Sequence, residues 1–205
     1  MKEIKNKAQS IRNKLLTVAR SKNINFDTIL LRYMQERLLY RLEKSPYKKN
    51  FILKGGLFLL FSDIPINRPT KDIDFLGLKV SRITEDLHEV FKNICMQQSD
   101  DAVNFDTSGI TSETIKENAD YQGVRIKIKG YLGNATKVIQ IDIAFDDIVY
   151  PDIQIMEYPT FFENTIRINA YSKESVIAEK FDAMLVLSYA NSRMKDFYDV
   201  YHLLK

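Results

Sequence analysis

The segment Asp72-Ile73-Asp74-Phe75 sets two carboxylates two residues apart in an alternating stretch. On a β-strand, alternate side chains share a face, so Asp72 and Asp74 emerge together while Ile73 and Phe75 point the other way. Neighbouring carboxylates raise each other's pKa, a conflict that a shared cation removes. A third acid, Asp142, stands in Ile139-Gln-Ile-Asp-Ile-Ala-Phe145, opposite the apolar face formed by Ile139, Ile141, Ile143 and Phe145. If the two strands are neighbours, three carboxylates converge as hard oxygen ligands suited to Mg²⁺ or Mn²⁺. Two ions roughly 3.5–4 Å apart in such a site would support in-line displacement at phosphorus. The plainer reading leaves Asp72 and Asp74 bordering a turn and Asp142 ending an exposed edge strand.

Upstream, Gly55 and Gly56 lie between an apolar run, Phe51 to Leu53, and a second one, Leu57 to Phe61. Glycines between a strand and a helix let backbone N–H groups approach phosphate oxygens without a Cβ in the way. Alone, the pair reads as a tight turn; ahead of an acid pair and a third acid, it suits a phosphate-handling site. The chain has one cysteine, Cys95, and two histidines, His88 and His202, which excludes an internal disulfide and thiolate or imidazole zinc sites. Any metal must sit on oxygen, and these three residues are assigned no chemistry.

The elements that must hold these residues follow from periodicity. Phe26, Ile29, Leu30, Tyr33, Met34, Leu38 and Leu42 recur at helical spacing over 25–43, with Asn25 or Asp27 as cap, and a shorter amphipathic helix is expected before it through Ile4, Ala8, Ile11, Leu15 and Val18. Residues 51 to 61 read as strand, glycine turn and buried helix, 72–80 as a strand and 81–98 as a helix. Val124, Ile126 and Ile128 alternate with Arg125, Lys127 and Lys129, and Gly130 to Asn134 supplies the turn of a hairpin completed by 138–145. From Tyr171 onward the period is helical, with Ser172 or Ser175 as cap. We divide the chain into an N-terminal helical segment (1–50), a core (51–150) and a C-terminal helical segment completing the site (151–205). The 205 residues carry a net charge of +3 and contain no apolar run long enough for a membrane span or an export signal, so a cytoplasmic location with no membrane partner is the expectation.

In order along the chain, Leu53-Lys54-Gly55-Gly56, Arg68-Pro69-Thr70-Lys71-Asp72-Ile73-Asp74-Phe75, Ile141-Asp142-Ile143, Ala178-Glu179-Lys180-Phe181-Asp182-Ala183 and Arg193-Met194-Lys195-Asp196-Phe197-Tyr198-Asp199 resemble the motifs of the AbiEii/AbiGii toxin nucleotidyltransferases. The resemblance spans roughly residues 50–205. It implies an α/β (α+β) fold of the DNA polymerase β-like superfamily, a mixed sheet flanked by N- and C-terminal helices. It also implies a type IV toxin–antitoxin toxin that transfers a nucleotide from a nucleoside triphosphate to an RNA acceptor, with tRNA the expected one, and that is held in check by a cognate antitoxin encoded nearby. Asp72, Asp74 and Asp142 would bind Mg²⁺ or Mn²⁺. Lys54, Gly55, Gly56, Arg68, Thr70 and Lys180 would contact the nucleotide, and Lys180 and Asp196 would complete the catalytic set. The wider superfamily often has Gly-Ser where this chain has Gly55-Gly56, leaving phosphate contact there to backbone groups. Many relatives continue with further helices past the last motif, which lets the nucleic-acid-binding portion be reduced here.

The residues alone add weight unevenly. Lys180 lies three positions after Ile177 and four before Met184, at the border of an apolar stripe, where a lysine either snorkels to water or reaches a phosphate. The plainer alternative makes Asp196 and Asp199 ordinary surface acids flanking Phe197 and Val200. The row Arg125, Lys127 and Lys129, with a basic bias over residues 1–49, could track a phosphate backbone or simply be solvated. Two rival functions stay open: an adenylyltransferase acting on a small hydroxylated molecule such as an antibiotic, favoured by an acidic acceptor pocket, and an inactive nucleotide- or protein-binding module.

Overall fold

The structure is a computed structural model that describes residues 2–60, 70–118, 121–162, 165–188 and 193–205. Two helices open the chain, α1 (Lys2–Ser21) and α2 (Phe26–Lys44). The first is the longer of the two, with 20 residues against 19, where the sequence suggested the reverse. Asn25 caps α2 by accepting from the Asp27 amide at 2.7 Å. There follow β1 (Phe51–Lys54), α3 (Gly55–Leu59), β2 (Asp72–Gly77), α4 (Thr84–Cys95), β3 (Val103–Phe105), β4 (Thr111–Asn118), β5 (Tyr121–Leu132) and β6 (Ala135–Ala144). The chain ends with β7 (Gln154–Tyr158), β8 (Ile166–Ala170), α5 (Lys173–Leu187) and α6 (Met194–Leu203).

The eight described strands form one mixed sheet, in the order β3-β5-β6-β2-β1-β8-β7, with β4 also paired to β5. β2 runs parallel to β6 and antiparallel to β1, while β8 runs parallel to β1. The α/β mixed-sheet fold with flanking helices expected from the resemblance is what the chain adopts. Residues 151–205, read as helical, are only partly so: Ile166, Ile168 and Ala170 bury one face of β8, which with β7 extends the core sheet. The strand expected over 72–80 stops at Gly77, because Lys79 takes a positive φ and Asn50 Nδ2 bonds the Leu78 carbonyl at 2.8 Å. The helix expected over 81–98 shortens to α4.

The sheet's two faces differ. On one, Ile73, Phe75, Val124, Ile126, Ile128, Ile139, Ile141 and Ile143 are buried against α2 and α4, with Phe51 wedged between Phe75 and Phe91 at ring distances of 5.6 and 5.1 Å. At roughly 1.5–3 kcal/mol per buried aliphatic or aromatic side chain, this face is what commits the strands to their register. The other face carries the alternate residues and receives α5.

Candidate functional site

Pairing register decides which side chains meet on the second face. Lys54 of β1 stands opposite Asp74 of β2, Asp74 opposite Asp142 of β6, Asp142 opposite Arg125 of β5, and Arg125 opposite Glu113 of β4. One transverse row across five strands therefore reads Lys, Asp, Asp, Arg, Glu. Asp72 falls one step along β2, opposite Gln140, on the same face. The carboxylates of Asp72, Asp74 and Asp142 each bring an oxygen within 4.8 Å of the other two.

Three acids so placed oppose one another. Burial, with the charge of Asp72 next and those of Asp142 and Glu179 adding, lifts the Asp74 pKa from 3.8 to about 7 against the pull of Lys54. A hard divalent cation fits this donor set, since all three ligands are carboxylate oxygens and the cation would remove the repulsion. Gly55 serves the same spot. Its φ is +65°, and a Cβ there would fall 1.9 Å from Asp74 Oδ2, so only glycine lets β1 leave the sheet past that carboxylate. The sequence reading tied this glycine to phosphate approach; its closest neighbour is the acid.

Beside the triad opens a cavity of about 650 Å³, lined by Lys54, Gly55, Gly56, Thr70, Lys71, Asp72 and Asp74 on the sheet side and by α5 and α6 on the other. Lys54 is nearly enclosed, and its ammonium bonds Asp147 at 2.7 Å and Glu179 at 2.9 Å. Burial alone would lower its pKa; Glu179 and Asp147 outweigh that and hold it charged. Tyr171 donates its hydroxyl to the same Asp147 oxygen at 2.8 Å. From α5, whose first turn is capped by Ser172 accepting from the Ser175 amide, Lys180 reaches Asp196 at 3.0 Å and Asp199 at 2.7 Å on α6. Val176, Ala183, Val186 and Leu187 give the cavity an apolar wall.

Among the residues singled out by sequence, Lys54, Gly55, Gly56, Thr70, Asp72, Asp74, Lys180 and Asp196 all line this one cavity, and Asp142 joins it through the acid triad. Arg68 lies outside the described residues. Two of the plainer alternatives fail. Asp196 and Asp199 are not surface acids but are buried, at 1% and 0% exposure, and Lys180 ties them to α5 instead of snorkelling. The basic row on β5 is not a uniform solvated stripe either: Arg125 clasps Asp142 and Lys127 pairs with Glu113. Sequence reasoning missed Asp147, Glu179 and Tyr171. Glu179 directly precedes Lys180, but nothing in spacing announces that Asp147, in the loop after β6, faces Lys54.

A family model described as the nucleotidyl transferase AbiEii toxin of type IV toxin–antitoxin systems matches residues 37–205. No curated protein matches the sequence. JHP933 from Helicobacter pylori superposes with a TM-score of 0.55 at 14% identity, over 87% of this chain and 66% of that one. This chain thus spans slightly less than two thirds of that protein's length. A candidate nucleotidyltransferase from H. pylori gives 0.54 at 15% identity, over 86% and 67%. The antibiotic-resistance factor ANT(2")-Ia, solved with adenylyl-2"-tobramycin, gives 0.38 at 15% identity, over 87% and 88%. The likeness to the two H. pylori proteins is one of fold.

Proposed function

The chain belongs to the AbiEii family of nucleotidyl transferase toxins of type IV toxin–antitoxin systems, and from that premise we propose that it moves a nucleotide from a nucleoside triphosphate to an RNA hydroxyl, with tRNA as the acceptor. It is a nucleotidyltransferase, and its family implies a triphosphate substrate and an antitoxin. The observation that carries the chemistry is the convergence of Asp72, Asp74 and Asp142 beside a cavity lined by Lys54, Lys71 and Lys180. Bound by those acids, Mg²⁺ or Mn²⁺ would supply the charge that polarises the α-phosphate and activates the acceptor hydroxyl.

The chain's own residues supply the rest. Lys180 lines the cavity with its charge already met by Asp196 and Asp199, so it can offer the triphosphate an N–H donor but little net charge. Thr70 and Gly56 line the adjoining side, while Gly55 makes room for the Asp74 carboxylate. Lys54, neutralised by Asp147 and Glu179, acts less as a phosphate contact than as the charge that steadies Asp74. The apolar stretch of α5, through Val186 and Leu187, offers a surface for a nucleobase.

The acceptor reading rests on the family. Asp147, Glu179 and Asp196 pair with lysines, while Asp182 lines the cavity beside Lys71 and Lys195, so the charge of the lining does not by itself choose between RNA and an aminoglycoside. No described helix is long and apolar enough to cross a membrane. The test incubates purified protein with Mg²⁺, each α-labelled triphosphate, and either total RNA or aminoglycosides. Labelled RNA that disappears in Asp74→Asn is the expected result; label on the small molecule alone hands the site to the adenylyltransferase reading, and label on neither leaves only a binding module.

A further inference from the structure

The third acid of the site is already engaged. Arg125 donates Nε to Asp142 Oδ1 and Nη2 to Oδ2, both at 2.8 Å, and Gln140 adds a bond to Oδ2 at 3.2 Å. Such a fork-on-carboxylate pair is the strongest geometry a guanidinium offers. Yet an oxygen of this same Asp142 lies within 4.8 Å of oxygens on Asp72 and Asp74. One carboxylate thus faces two competing cations: the guanidinium it holds and the divalent ion that the triad fits.

Position says which contact can give way. The Arg125 side chain keeps 30% of its surface accessible and stands on the strand beyond Asp142, away from Lys54 and the glycine pair. It has open solvent to swing into, and Glu113, which also pairs with Lys127, stands directly opposite on β4. Asp142, at 12%, is fixed on β6 between Arg125 and Asp74. A mobile cation against a fixed acid makes Arg125 the partner that leaves.

We propose that Arg125 is a resident counter-ion that competes with the divalent cation for Asp142, so that loading of the metal site requires the guanidinium to swing off the carboxylate. The inference rests on the metal reading of the acid triad given above. In the metal-free protein the guanidinium spares three acids their full repulsion; on loading it turns outward to solvent. Arg125 is therefore a positioning residue that sets the cation concentration at which Asp142 joins the site.

The test is a Mn²⁺ titration, without nucleotide and at constant ionic strength, reading free Mn²⁺ by electron paramagnetic resonance. Wild type should bind Mn²⁺ and Asp74→Asn should bind it far more weakly; equal binding by both overturns the metal reading itself. Given that difference, Arg125→Gln should bind Mn²⁺ tighter than wild type by about three- to tenfold, the scale of one partly exposed ion pair. In an Asp142→Asn background the same change should have less than about a twofold effect, because the contested ligand is gone. Affinity unchanged or weakened in Arg125→Gln overturns the inference, since Arg125 would then only orient Asp142. Should that variant fail to fold, the wild-type protein with ¹⁵N-labelled arginine answers alone: the Arg125 Nε–H resonance should move on saturation with Mg²⁺, and a resonance that stays in place overturns the proposal.

Discussion

Two clusters of enclosed charge lie on opposite faces of the same sheet, and they are built on different rules. On the core face Arg41 and Asp101 are each only 4% accessible, bonded through both guanidinium nitrogens at 2.8 and 3.1 Å. Arg41 also bonds the Val103 carbonyl, and Asp101 accepts from Ser99 and the Val103 amide. One cation meets one anion, and the Val103 backbone and the Ser99 hydroxyl take further bonds, with only Arg41 Nε left without a partner among the described residues. On the site face Asp74 faces Asp142 across the strand pair and Asp72 along its own strand, with an oxygen of each within 4.8 Å of the others and with cations only at the row's flanks. A cluster that only has to hold the fold is balanced; one that has to bind something carries an unresolved charge.

That contrast predicts opposite outcomes for acid removal. Asp74→Asn or Asp142→Asn should abolish nucleotide transfer, by at least about a thousandfold, because each deletes a proposed metal ligand. The Tm of Asp74→Asn should match or exceed that of wild type, since the change relieves burial of a charge among like charges. Transfer persisting in either variant would return these acids to a structural role. Asp101→Ala, by contrast, strands a buried guanidinium and should cost about 3–5 kcal/mol, a fall of roughly 10 °C in Tm. The surviving folded fraction should keep its turnover; lost turnover without lost stability would break the division between the faces.

Gly55→Ala sits where the two kinds of effect meet. A left-handed alanine costs about 1–2 kcal/mol of backbone strain, and its Cβ would displace the Asp74 carboxylate lying 1.9 Å away. Both Mn²⁺ affinity and transfer should fall well beyond what the modest loss of stability accounts for. A variant with lowered Tm but wild-type Mn²⁺ affinity would show that Asp74 can move aside at no cost to the site.

How much of this was legible beforehand follows from which facts are local. Asp72, Asp74 and Asp142 announced a shared face through strand alternation, and Asn25 and Ser172 announced helix starts, because each signal lies within a few residues. The β5–β6 hairpin was legible too, with its turn narrowing to Gly133-Asn134 where Leu132 pairs Ala135. β7 and β8 were not: five residues each, with only β8 alternating cleanly, they lack the length that separates a strand from a loop. The fate of Arg125 and Lys180 was hidden for a different reason. Their partners lie 17 residues away for Asp142, and 16 and 19 for Asp196 and Asp199, and register or helix docking, which the local pattern leaves open, brings them together.

Glu36 gives the comparison its finest test, because it is the core-face acid closest to the site's condition. It is 2% exposed on α2, accepts from the Phe161 amide at 2.9 Å, and has the neighbouring Arg37 as its cation. Burial outweighs these partners and lifts its pKa from 4.5 to about 7. A carboxyl whose folded pKa lies above its unfolded one binds a proton more tightly when folded, so it costs nothing below pH 4.5. The cost grows as pH rises from about 4.5 to 7 and is complete above that. Glu36→Gln keeps an oxygen for the Phe161 amide and loses the titration. Relative to wild type, it should gain on the order of 1–3 kcal/mol at pH 8 and little or nothing at pH 4. Denaturant midpoints at the two pH values, with transfer measured alongside, decide the matter. A gain that vanishes at low pH with turnover untouched places Glu36 with the structural charges, whereas a pH-independent difference would mean that Arg37 and the Phe161 amide already stabilise its ionised form in full.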